Sequence, residues 1–106
     1  MNNITIGRDG VTLVNILACE PANQANLSSL LQANIDQVIS TLDGWISTSL
    51  LTAADGAKVF IVSQWRDGDA VKAMQADARM QAYFPKIAAL ARFDSILTTV
   101  AHLRAA

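Results

Sequence analysis

One cysteine and one histidine are all that this chain of 106 residues holds of either type, and each scarcity removes a class of chemistry. Cys19 has no second thiol within the chain for a disulfide, and with a single histidine it does not make a Cys/His zinc set. It reads as a small buried hydrophobe at a strand end. A lone His102 excludes an HExxH pair, and no GxGxxG, P-loop, GxSxG or recognisable Ser/His/Asp set occurs. Nucleotide, flavin and metal chemistry therefore lack sequence support. Charge is sparse as well: charged residues make up 16%, with eight Lys plus Arg against nine Asp plus Glu for a net charge of −1. The basic residues are scattered, without the cationic cluster that nucleic acid or an acidic membrane surface requires. No apolar run approaches the roughly 18 residues of a membrane span. The opening MNNITIGRDG lacks the basic start and apolar core of a signal peptide. The expectation is a cytoplasmic protein without nucleic-acid or membrane partners.

Apolar residues, by contrast, are abundant at 52%. The length suits one domain with a real core, read as residues 11–106 after an N-terminal extension over 1–10. VTLVNILAC at 11–19 is a strand. After Glu20-Pro21, Leu27, Leu30, Leu31, Ile35, Val38, Ile39 and Leu42 recur at three- and four-residue steps, which predicts a helix ending near residue 42 at Asp43-Gly44. Its polar stripe would carry Gln24, Ser28, Gln32, Asn34 and Gln37. WISTSLLT at 45–52 and AKVFIVSQW at 57–65 are strands joined through Asp55-Gly56, a hairpin signal. Helical character returns at 68–76, with Asp69 as cap, and again from Asp77, with a break or kink expected at Phe84 before Pro85. FDSILTTVAHL at 93–103 is the last strand.

The order β, α, β, β, α, β describes a ferredoxin-like α+β sandwich, a four-stranded antiparallel sheet with its helices on one face. In β strands the side chains alternate, so Val11, Leu13 and Leu17 point one way and Val14, Ile16 and Ala18 the other; Val59 and Ile61 likewise oppose Phe60 and Val62. Both faces are apolar although helices cover only one. A second sheet from another copy would cover the open face, giving a symmetric homodimer.

A strand with an internal asparagine (VNILACEP), a long helix, a strand after Gly44-Trp45 and a third strand ending in Gln64-Trp65 before an acidic helix start resemble the antibiotic biosynthesis monooxygenase family of dimeric α+β barrels. The likeness runs over residues 11–103. It implies a small monooxygenase without a cofactor, acting with O2 on a phenol, quinol or anthrone-type aromatic in an apolar cavity. Trp65 matches the tryptophan shared by several branches of that family. A gap-free alignment puts Ile61, Val71 and Pro85 where the anthrone-oxygenating branch has Asn, Tyr and Arg. Asn15 and Trp65 match the haem-degrading branch, but residues 67–91 contain no histidine to hold the iron.

Trp65 and Asn15 are the catalytic candidates: an indole N–H and a mid-strand amide able to orient a substrate oxygen and its developing anion. Packing at a core end and a hydrogen bond to neighbouring backbone are their plain structural alternatives. Arg79 and Tyr83, at i and i+4 on one helical side, could reach a pocket mouth and bind substrate, with a solvated charge and a packed ring as the alternatives. His102 is a further substrate-binding candidate and a candidate general base, with plain exposure as its alternative. Met74, Met80 and Phe84 read as core. The rival to an enzyme is a dimeric barrel that binds a small hydrophobic metabolite without turnover, which the departures at Ile61, Val71 and Pro85 favour.

Overall fold

The run VTLVNILAC forms strand β1 (Val11–Cys19) in the computed structural model, which describes residues 10–106. Its β-branched and aliphatic side chains suit a strand with neighbours on both sides. β1 lies between β3 (Lys58–Trp65) and β4 (Ala91–Thr98), and β2 (Trp45–Thr52) flanks β3. Every pairing in the order β2-β3-β1-β4 is antiparallel. Helices α1 (Gln24–Gln37), α2 (Gly68–Ala76) and α3 (Ala78–Ala88) complete the ferredoxin-like α+β fold. Leu13, Leu17, Val59, Ile61 and Trp65 on one sheet face are buried against Leu27, Leu31, Val71, Met74, Met80 and Ile87 of the helices. On the other face Val14, Ile16, Phe60 and Val62 are half-buried. Apart from Gly10, the N-terminal extension expected over residues 1–10 lies outside the described residues.

Several element ends differ from expectation for local reasons. The first helix stops at Gln37 rather than near 42, because Val38 leaves helical geometry (φ −121°, ψ −64°) and a 3₁₀ turn over Ile39–Thr41 follows. Thr41 Oγ1 donates to Val38 O at 2.7 Å and fixes that turn. Asn34, expected on the solvent stripe, is 2% exposed; with Leu27 and Leu31 it continues the i, i+4, i+7 row that faces the sheet. Pro85 does not break α3. It lacks the donor that Gln81 O would accept, but both residues are exposed, where water can replace it. β4 ends at Thr98 rather than 103, because it runs antiparallel to β1 and, after Thr12↔Thr98, reaches the start of β1 beside Gly10, whose φ is +87°.

Asp67, not Asp69, caps α2: its extended backbone (φ −163°) lets the carboxylate accept from Ala70 N at 2.8 Å, while Asp69 sits in the first turn. Asp77 caps α3 by accepting from Arg79 N and Met80 N. The Ala70 N–H and then Arg66 hold Asp67 below the ordinary aspartate range; Arg79, with the two helix N–H groups, does the same for Asp77. A depressed folded-state value stabilises the fold above the unfolded aspartate value of about 3.9, and that contribution is lost as pH falls through the lower folded value. Asp67→Asn with Asp77→Asn keeps a capping oxygen without the titration. Thermal melts should therefore show a smaller Tm loss in the double variant than in wild type between about pH 5 and about pH 2.5. An equal loss would remove the caps from the acid response.

Candidate functional site

Between the sheet and the helices lies a cavity of about 310 Å³. An apolar cavity of about 150 Å³ takes benzene, so this one suits a ligand of about two to three fused rings. Its floor comes from alternate residues on three neighbouring strands: Leu13, Asn15 and Leu17 of β1, Ile61, Ser63 and Trp65 of β3, and Phe93 and Ser95 of β4. They share a face because strand side chains alternate and the register sets Asn15 opposite both Ile61 and Ser95. Leu31 and Asn34 of α1, Met74 and Gln75 of α2, and Met80, Phe84 and Ile87 of α3 close the other side. Met74, Met80 and Phe84 thus serve the core and the cavity together. Phe84 and Phe93 stack with centroids 6.5 Å apart, and Phe93 is 44% exposed, which makes this pair the rim.

No Asp, Glu, Lys, Arg or His is among the described residues that line the cavity. Polarity comes from amides, from the hydroxyls of Ser63 and Ser95, and from the indole. In a site of low dielectric such fixed dipoles act strongly on any charge that develops there. The Asn15 side chain is half-buried and has no hydrogen-bond partner among the described residues. Asn34 donates from Nδ2 to the Met80 thioether at 3.3 Å, which joins α1 to α3 above the cavity. Trp65 is 1% exposed, and its Nε1–H is buried without an acceptor. A buried unpaired donor costs about 1–3 kcal/mol, a cost that an oxygen placed beside it would remove. Gln64 Nε2 is also buried and unpaired, but Gln64 alternates with Trp65 and belongs to the opposite sheet face.

Of the residues singled out from the sequence, Trp65 and Asn15 therefore meet at one cavity, whereas Arg79, Tyr83 and His102 are not among its lining. The Arg79 guanidinium is turned to Asp77, 3.4 Å away. Tyr83 is half-buried, donates to Gln37 Oε1 at 3.4 Å and carries Lys86 Nζ 5.5 Å from its ring centroid. His102 is exposed beyond the end of β4. Asn34, Ser63, Ser95 and Gln75 were not singled out for the site. For Asn34 the helical spacing was the available signal; for the serines it was strand alternation alone, which marks a face but not a cavity.

The sequence model of the antibiotic biosynthesis monooxygenase family matches residues 10–86, most of the chain. The chain belongs to this family. A relative, tetracenomycin-F1 monooxygenase of Streptomyces glaucescens, is 30% identical over 102 residues, covering 96% of this chain and 91% of the relative. Among solved structures, the monooxygenase from ActVA-Orf6 of Streptomyces coelicolor, in complex with nanaomycin D, is similar with a TM-score of 0.84 at 21% identity, over 93% of this chain and 94% of that one. A mutant of SnoaB, a cofactor-independent oxygenase from Streptomyces nogalater, superposes with a TM-score of 0.80 at 21% identity, over 88% and 94%. At these identities the structural likenesses establish the fold. Within this antibiotic biosynthesis monooxygenase fold the three departures separate: Ile61 borders the cavity, Val71 is buried in the core and Pro85 is exposed on α3. Asn15 stands directly across from Ile61, and Cβ atoms of such pairs are about 4.5–5.5 Å apart. Among the described residues no group of acidic, His or Cys side chains could hold a metal ion, and no helix is long and apolar enough to cross a membrane.

Proposed function

We propose that this protein is a small cofactor-independent monooxygenase of the cytoplasm that oxidises a phenol, quinol or anthrone-type aromatic with O2 and works as a homodimer. The observation that carries this reading is a neutral, mostly apolar cavity with unpaired or neutral donors, Asn15 and Trp65, on its wall. Such a site binds a flat aromatic and favours its anion. An activated C–H of the substrate loses its proton to solvent, and the carbanion passes one electron to O2. The radical pair then joins into a C–O bond. After protonation the peroxide loses water: the remaining C–H proton leaves, the O–O bond breaks and a carbonyl forms. One CH2 and one O2 give one C=O and one H2O, with the substrate as sole reductant. The likeness to a tetracenomycin-F1 monooxygenase and to a cofactor-independent oxygenase, SnoaB, supports this class of reaction.

With no ionisable side chain among the described residues at the cavity, the rate should follow the ionisation of the substrate rather than that of a protein group. O2 uptake by chelator-treated protein on a series of substituted anthrones should exceed the spontaneous rate, and the inflection in pH should move with the acidity of each anthrone. Saturable binding of the same compounds without uptake would replace the enzyme by a binding module. The half-buried Val14, Ile16, Phe60 and Val62 on the open sheet face support the dimer; sedimentation should give the mass of two chains.

A further inference from the structure

Along the sheet face that floors the cavity runs a chain of hydrogen bonds. Trp45, at the start of β2, donates its indole N–H to Thr48 Oγ1 at 2.8 Å, and Thr48 Oγ1 lies 3.0 Å from Ser63 Oγ. Thr48 and Ser63 are cross-strand partners, so their side chains leave the sheet on the same face, the one that bears the helices. Ser63 is 3% exposed and borders the cavity.

Either hydroxyl can donate in the Thr48–Ser63 contact, and the sense in which Thr48 donates frees the Ser63 hydrogen for a cavity ligand. A hydroxyl has one hydrogen and two acceptor positions. Thr48 accepts from Trp45, and Ser63 Oγ is the acceptor within reach of the Thr48 hydrogen among the described residues. With Thr48 donating to Ser63, the Ser63 hydrogen has no protein acceptor among those residues. A buried hydroxyl in that position is a donor awaiting a ligand. Each bond in such a chain polarises the next, which strengthens the last donor most toward an anion. Ser63 also lies diagonally across from Asn15, because Leu13 pairs with Ser63 and Asn15 with Ile61. The two groups thus sit on adjacent strands of one floor.

We propose that Ser63 donates a hydrogen bond to an oxygen of the bound aromatic, and that Thr48 and Trp45 are positioning residues that hold it in the donor sense. This deepens the function proposed above and rests on the cavity being the substrate site. The ligand class narrows accordingly to aromatics that present a phenolate or carbonyl oxygen to the sheet.

The test is equilibrium fluorescence titration with two probes that do not turn over. 1,8-Dihydroxyanthraquinone already carries its carbonyl oxygens, and anthracene has the same ring skeleton with none. Ser63→Ala should weaken dihydroxyanthraquinone binding about tenfold and leave anthracene within about twofold. Thr48→Val should weaken the quinone about threefold, and Thr48→Ser should restore it, with circular dichroism unchanged. Equal weakening of both probes by Ser63→Ala would make Ser63 a packing residue and overturn the inference. A Thr48→Val variant that binds like wild type would overturn the relay. Should wild type bind neither probe, the cavity is not the site and both readings fall. If Ser63→Ala discriminates the probes while no anthrone consumes O2, this inference stands and the oxygenase reading fails.

Discussion

Trp65→Phe is expected to lower O2-dependent turnover about a hundredfold while the protein remains folded. The substitution keeps an aromatic ring at the end of β3 and removes the indole N–H. That ring is fixed from several sides: Trp65 pairs in register with Val11 and with Trp45, and it is buried among Leu13, Val38, Ile39, Val71 and Met80. Its backbone is pinned too. Gly10, at positive φ, approaches the Trp65 carbonyl so closely that any Cβ there would clash, and Arg66 N donates to Gly44 O at 2.7 Å. The smaller phenyl leaves a void worth about 1–2 kcal/mol of stability, partly offset because a buried N–H without an acceptor disappears. A large fall in kcat beside a modest fall in Tm would assign the N–H to the transition state. A Tm change with turnover intact would make Trp65 a core residue alone.

The same logic shows what the sequence made legible. Strand alternation in VTLVNILAC and AKVFIVSQW separated Leu13 and Leu17 from Val14 and Ile16, and Val59 and Ile61 from Phe60 and Val62, and the structure keeps both divisions. Patterns of this kind survive in β1 and β3 because one face of each is buried against the helices. Element ends were harder to read. Asp67 and Asp69 are both helix-starting residues, and the choice between them depends on which backbone turns extended, a tertiary matter. The Ile39–Thr41 turn continues the apolar spacing of α1 without its hydrogen-bond pattern, so periodicity alone runs past the true end. Ser63 was invisible for a different reason. A serine on a strand carries no motif, and its significance comes from Thr48, 15 positions away in sequence, and from the indole of Trp45 beyond it.

Asn15→Leu is expected to pull stability and function in opposite directions. Asn15 stands in the middle of β1 between Leu13 and Leu17, with Ile61 and Ser95 across from it, and its amide finds no side-chain partner among the described residues. Leucine has nearly the same shape and would join the apolar row of its neighbours. Relieving a half-buried unpaired amide should raise stability by about 1 kcal/mol, a Tm gain of about 4 °C or more in a domain of this size. Turnover should fall about a hundredfold, because the amide opposite Ile61 joins Ser63 and Ser95 as a polar group on that part of the floor and would orient the substrate oxygen with them. A residue that weakens the fold yet is placed at a cavity is the mark of a site held at the expense of stability. The outcome that would sink this is a variant with lower Tm and unchanged turnover, since Asn15 would then be bracing β1 rather than addressing a ligand. Asn15→Asp sharpens the test. A carboxylate in the same place should repel a developing anion, so turnover should fall below that of Asn15→Leu, whereas a purely steric role would leave the two variants alike.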